Sequence, residues 1–213
     1  MNLFNSLKLY AVTDSRFCIN RSLEEITEEA ILGGVTMVQL REKYLGYDEF
    51  LNKAISLKSL CDRYNVPLII NDNIEVALMS KACGLHIGQG DRSIVEARKI
   101  LGNKVIIGVS AHCVEEAVEA ERLGADYLGV GAVFSTSTKV DAVDVNINKL
   151  IDIIKSVDIP VVAIGGITSE NLLFLKGSGI AGAAIISGIF GKDNIKEECR
   201  LLRAKLDEVV NIK

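Results

Sequence analysis

The chain has 213 residues, of which 49% are apolar and 24% charged, a length and balance that fit one globular domain and exclude a disordered chain. Its formal net charge of -4, with lysines and arginines scattered rather than clustered, leaves no basic surplus for a nucleic-acid partner. No window reaches the roughly 18 apolar residues of a membrane span, and no basic region precedes a long apolar stretch near the N-terminus.

A cytoplasmic protein with no membrane partner is therefore expected, and a homo-oligomer is left open. The five cysteines, Cys18, Cys61, Cys83, Cys113 and Cys199, are odd in number and never at CxxC spacing. This disfavours both a disulfide framework and a zinc knuckle, and predicts reduced, mostly buried thiols.

In chain order, short runs rich in Val, Ile and Leu alternate with segments of helical period. LKLYAVT precedes SLEEITEEAILGG, TMVQL precedes YDEFLNKAISLKSLCDRYN, and PLII precedes NIEVALMSKA. GLHI is followed by SIVEARKILG, KVIIGVS by CVEEAVEAERLG, and DYLGVGAV by NINKLIDIIKSV. PVVAIGG then leads to SENLLFLKGSG, and GAAIIS to DNIKEECRLLRAKLDEVV. Ser22, Ser93, Asn146, Ser169 and Asp193 are residues of N-cap type at helix starts, and several helices end at glycine.

Apolar runs without alternation suit a parallel sheet covered on both faces. Eight even strand and helix pairs favour closure over an open doubly wound sheet, so the expected fold is α/β, a single-domain (β/α)8 TIM barrel over residues 1–213. On such a barrel the chemistry gathers at the carboxyl ends of the strands.

In TMVQLREK the alternation of a strand sends Gln39, Arg41 and Lys43 to one side and Glu42 to the other. A polar side chain with two cations suits a multiply charged anion, the alternative being a solvated rim. Asn71 and Asp72 follow PLII, and Asp91 follows GLHIGQG; the two carboxylates could hold a divalent metal through oxygen or simply cap the next helices.

Ser110 after KVIIGV reads as a donor to substrate, since no nucleophile-elbow glycines and no third triad member accompany it. His112 reads as a helix-start residue and His86 as a hydrogen-bonded core residue. FSTSTK, residues 134–139, offers Thr136, Ser137, Thr138 and Lys139 to phosphate oxygens, although hydroxyls are also ordinary loop residues. Gly165 and Gly166, with Ile186, Ser187 and Gly188, end the last two runs, where this barrel commonly binds phosphate. Two anion sites thus emerge, one suited to a diphosphate and one to a monophosphate.

The segments LYAVTD, VQLREK, NDN, GLHIGQGD, IGVSAH, GADYLGVGAVFSTSTKVDA, PVVAIGGI and AAIISGI resemble, in order and spacing, those of the thiamine phosphate synthase family, also called thiamine phosphate pyrophosphorylase. The resemblance implies a transferase of thiamine biosynthesis that takes phosphorylated small molecules and uses Mg2+. It would join 4-amino-2-methyl-5-(diphosphooxymethyl)pyrimidine to 4-methyl-5-(2-phosphooxyethyl)thiazole by dissociative loss of pyrophosphate. By the same resemblance Gln39, Leu40, Arg41, Glu42, Lys43, Asn71, Ser110 and Lys139 bind the pyrimidine diphosphate. Lys139, Arg41 and Ser110 among them are the catalytic candidates, and Asp72 and Asp91 hold the metal. Thr136, Ser137, Thr138, Gly166, Ile186 and Ser187 bind the thiazole phosphate.

The chain departs from the family's GPxFPTxTK pattern by reading GAVFSTSTK, with Ala132 and Ser135 in place of prolines, and a less rigid loop is expected. Three rivals remain: a thiazole tautomerase on the same barrel using His112, a non-catalytic regulator that binds thiazole or thiamine phosphate, and another phosphate-handling barrel such as a sugar phosphate epimerase. Retention of Arg41, Lys43, Asp72 and Asp91 argues against each, because none needs a diphosphate and metal group.

Overall fold

The computed structural model describes residues 2–89, 93–136 and 144–210. Eight strands appear in the expected order: β1 (Leu9–Val12), β2 (Met37–Leu40), β3 (Leu68–Asn71), β4 (Gly84–Ile87), β5 (Ile106–Ala111), β6 (Tyr127–Val130), β7 (Val161–Ile164) and β8 (Gly182–Ile185). Each pairs in parallel with the next, and β8 returns to β1, so the sheet is a closed barrel. The helices are α1 (Leu3–Ser6), α2 (Leu23–Leu32), α3 (Tyr47–Arg63), α4 (Ile74–Met79), α5 (Ile94–Leu101), α6 (Val114–Arg122), α7 (Ile147–Lys155), α8 (Ser187–Phe190) and α9 (Ile195–Val209).

The strands read as continuous apolar runs because both of their faces are buried. Leu9, Ala11, Val38, Leu40, Ile70, Leu85, Val109 and Leu128 pack outward into the layer between barrel and helices. Alternate residues, Tyr10, Val12, Met37, Ile69, Ile106, Tyr127, Val162 and Ala184, fill the barrel interior. The twofold period of a strand sorts one run into two cores.

Glycine makes the inner layer fit. A Cβ at Gly108 would lie 2.0 Å from Cζ of Tyr127, and one at Gly129 would lie 3.1 Å from Cε1 of His86. Gly108 is paired with both His86 and Tyr127 across the ladder. A missing side chain on one strand thus houses a ring from its neighbour.

Helix starts follow their capping chemistry. Ser22 and Glu25 form a capping box on α2, and Ser93 and Asn146 cap α5 and α7 with their side-chain oxygens. Two expected caps shift by one residue or more. The cap of α9 is Asn194, not Asp193, and α4 is capped by Asn73, so Asp72 is not the cap that one reading made it.

The segment expected as a helix from Ser169 onward is only a 3-10 turn, Leu172–Leu175, begun at Asn171. The Asn171 side chain accepts from the Thr168 N–H at 2.9 Å and donates to the Gly166 carbonyl at 2.8 Å. That folds the first residues back onto the exit of β7, and the extended backbone of Lys176, followed by Gly177 with φ 82°, ends the turn before an α-helix can propagate. DYLGVGAV also pairs over a shorter span than its apolar length suggests. The Gly131–Ala132 peptide is cis, and Val133 and Phe134 donate to the carbonyls of Ile164 and Gly165.

All five cysteines are free, but only Cys61 and Cys199 are fully buried; Cys18, Cys83 and Cys113 are half-buried. Burial pushes the Cys61 and Cys199 thiols up to about 12. No helix among the described residues is long and apolar enough to cross a membrane.

Candidate active site

A cavity of about 160 Å³ opens at the carboxyl ends of the strands. Gln39, Arg41 and Lys43 line it from the end of β2, Asn71 and Asp72 from the end of β3, and Ser110 from β5. Thr136 lines it from the loop after β6, Gly166 from the exit of β7, and Ile186 and Ser187 from the start of α8. Residues far apart in sequence meet because parallel strands all present their carboxyl ends to one rim.

Leu40 and Glu42 stand differently. Leu40 is fully buried in the layer behind the sheet. The Glu42 carboxylate accepts from the Ser15 hydroxyl and, at 2.8 Å, from the Lys53 ammonium, tying the β1 exit to α3. Their side chains turn away from the cavity, as strand alternation requires. Asp91, Ser137, Thr138 and Lys139 lie outside the described residues.

The β1 exit braces the cationic rim. Thr13 Oγ1 accepts from the Arg41 N–H at 3.1 Å, and the Thr13 N–H donates to the Gln39 carbonyl at 2.9 Å. Burial disfavours charge on Asp14, yet the Arg16 guanidinium, with the Arg41 charge behind it, outweighs burial and holds this carboxyl below its ordinary range. Lys43 and Asp72 form an ion pair at the mouth.

The glycine-rich end is built from backbone. Gly166 has φ 64°, and a Cβ there would lie 2.4 Å from the Ser135 carbonyl oxygen, so only glycine lets the β6 and β7 exits pass. The Val145 N–H donates to the Ala132 carbonyl at 2.8 Å, bringing the chain back to the strand exit after the hydroxyl loop. After β8 comes the short helix α8, in the place where this barrel commonly carries an extra helix with free N–H groups.

Beneath both ends lies a buried polar chain that sequence reading did not assemble. Gln39 Nε2 donates to Tyr10 Oη at 2.7 Å, the Tyr10 and Tyr127 hydroxyls meet at 2.9 Å, and Tyr127 Oη lies 3.0 Å from His86 Nδ1. His86 Nε2 lies 3.0 Å from Ser110 Oγ. Burial pushes the Tyr127 hydroxyl well above the ordinary phenol value, with Tyr10 beside it adding to the shift, and burial also raises Tyr10. The interior glycines Gly108 and Gly129 were the available signal. His86 is the hydrogen-bonded interior residue expected, and His112 precedes α6, its ring Nδ1 3.1 Å from Glu116 Oε2 while it also lines the cavity.

A magnesium ion prefers oxygen ligands and commonly takes one or two carboxylates together with substrate phosphates. Asp72 beside Asn71 offers that chemistry at the cavity wall. Among the described residues there is no cluster of three or more His, Cys, Asp or Glu that could hold a metal ion.

Fold and cavity define a (β/α)8 barrel with one cationic, carboxylate-bearing wall and one glycine-rich wall. The family described as thiamine monophosphate synthase matches residues 9–189, and the chain belongs to it. A thiamine-phosphate synthase of Ruminiclostridium cellulolyticum is 52% identical over 194 residues, covering 91% of this chain and 92% of that protein. One from Clostridium acetobutylicum is 51% identical over 195 residues, covering 92% of each. The structure of thiamine phosphate pyrophosphorylase from Pyrococcus furiosus superimposes with a TM-score of 0.91 at 38% identity, covering 99% of this chain and 100% of that one.

Proposed function

We propose that the chain is a thiamine-phosphate synthase of the cytoplasm. It condenses 4-amino-2-methyl-5-(diphosphooxymethyl)pyrimidine with 4-methyl-5-(2-phosphooxyethyl)thiazole to thiamine phosphate and pyrophosphate. The observation that carries this reading is the single cavity in which Arg41, Lys43 and Asp72 share space with Gly166, Ile186 and Ser187, in a chain of this family.

Arg41 binds the diphosphate with a fork of donors and Lys43 with a point charge, while Asn71 and the Ser110 hydroxyl orient it. Thr136, Ser137 and Thr138, with the backbone at Gly166, Ile186 and Ser187, hold the thiazole phosphate so that the ring nitrogen faces the pyrimidine methylene. Asp72 and Asp91 would hold a magnesium ion, which would supply further neutralisation of the pyrophosphate. As the carbon–oxygen bond breaks, Arg41, Lys43 and Lys139 meet the charge collecting on the leaving group, and the aminopyrimidine delocalises the positive charge left on carbon. The thiazole nitrogen then attacks. No protein nucleophile is needed for this reaction.

Incubating the protein with both substrates and Mg2+ should yield thiamine phosphate and pyrophosphate in equal amounts. Folded protein that makes neither from verified substrates overturns the proposal. The place of His112 on the cavity wall favours a second reading, a thiazole tautomerase. That activity needs no diphosphate wall, and isomerisation of a thiazole carboxylate phosphate without Mg2+ would reveal it.

A further inference from the structure

The buried chain from Gln39 to Ser110 runs through five strands, β2, β1, β6, β4 and β5, and only its two ends are residues assigned to substrate. Each hydroxyl owns one proton, and a neutral imidazole donates from one nitrogen and accepts at the other. Those rules leave the chain two polarities.

With Gln39 Nε2 donating to Tyr10, the Tyr10 proton goes to Tyr127 and the Tyr127 proton to His86 Nδ1. The ring proton then sits on Nε2 and is given to Ser110 Oγ, and the Ser110 proton is left for the cavity. In the opposite sense His86 Nδ1 donates to Tyr127 and Tyr127 to Tyr10. With the Gln39 amide turned as it is, Nε2 toward Tyr10, the Tyr10 oxygen would then accept twice, and its own proton, on a residue only 1% exposed, would find no acceptor among the described residues. An unpaired buried donor is costly, and the first polarity avoids it.

We propose that His86 is a positioning residue, locked as the Nε2–H tautomer by the Gln39, Tyr10 and Tyr127 side chains, and that this lock makes Ser110 a hydrogen-bond donor to the substrate. The glycines opposite the rings support a fixed arrangement, since Gly108 and Gly129 leave room for Tyr127 and His86 where any larger residue would intrude. The part of the inference that concerns the pyrimidine diphosphate rests on the proposed function. The tautomer does not.

The chain contains two histidines, so a long-range nitrogen–proton correlation spectrum of the nitrogen-15-labelled protein, without substrate, resolves both rings; His112→Ala assigns them. His86 should show a protonated Nε2 and an unprotonated Nδ1. Tyr127→Phe should move part of the His86 population to Nδ1–H and raise KM for the pyrimidine diphosphate about five- to tenfold, with KM for the thiazole phosphate unchanged. A wild-type proton on Nδ1 overturns the proposal, as does a Tyr127→Phe protein with the same tautomer and the same KM. If that variant fails to fold, the wild-type spectrum still decides. An Nε2–H signature in a protein that makes no thiamine phosphate would overturn the function and leave the lock standing.

Discussion

Asp72 reaches the Lys43 ammonium from a backbone with φ 63°, the left-handed region that L-residues seldom occupy. The strand has just ended at Asn71, and Asn73 caps the next helix, so this single residue turns the chain between them. Aspartate tolerates the conformation better than most residues. The turn brings its carboxylate to the cavity wall instead of the helix end.

Asp72→Asn should raise the Mg2+ concentration needed for half-maximal activity by about 10- to 100-fold. The pair is partly exposed, with side chains 41% and 25% accessible, so it contributes no more than about 1 kcal/mol and the melting temperature should barely move. An unchanged Mg2+ titration would remove Asp72 from the metal.

Lys139→Ala should act mainly on turnover, lowering kcat by about 100-fold with a smaller change in KM, because its charge is needed most as pyrophosphate departs. His112→Ala should leave condensation largely intact. Collapse of condensation in that variant would give the Glu116-bound ring an acid–base role.

Gly108→Ala should cost about 3 kcal/mol or more, because the new methyl would sit inside the fully buried Tyr127 ring at 2.0 Å, far below contact distance. Gly129→Ala meets His86 at 3.1 Å and should cost clearly less. Denaturant titration of the two variants gives the order; equal losses would mean that the barrel interior yields.

Tyr10 and Tyr127 should make the fold sensitive to alkali. Both hydroxyls are raised above the ordinary value of about 10, first of all by burial. Below that value folded and unfolded chains both hold the proton, and these groups give no pH dependence. Above it the unfolded chain ionises first and the folded chain binds more protons, so stability falls as pH rises, by up to about 1.4 kcal/mol per pH unit for each tyrosine. Tyr10→Phe should flatten the loss measured between roughly pH 10 and 12; an unchanged slope would place the titration elsewhere.

The eight strands were legible because a barrel hides both faces of each, leaving runs such as KVIIGVS with no polar alternation to confuse. The rim was legible through residues such as Arg41 and Gly166, which are out of place at the end of an apolar run unless something polar meets them. Ser169 misled because a capping residue ahead of leucines looks like a helix start, and only the fold shows Asn171 bonding back to Gly166. Asp72 and Asn73 are both cap types, and only the backbone shows which of them caps.

The sequence by itself determined the order of elements, the closed sheet and the rim on which charged and glycine residues gather, since each rests on local periodicity and short-range chemistry. Tertiary structure alone decided that Gln39, Tyr10, Tyr127, His86 and Ser110 form one hydrogen-bonded chain. Within its own strand each of these residues is an isolated member of an apolar run. Their meeting depends on barrel register and on two glycines that make room for rings from neighbouring strands, and neither is encoded within a single segment.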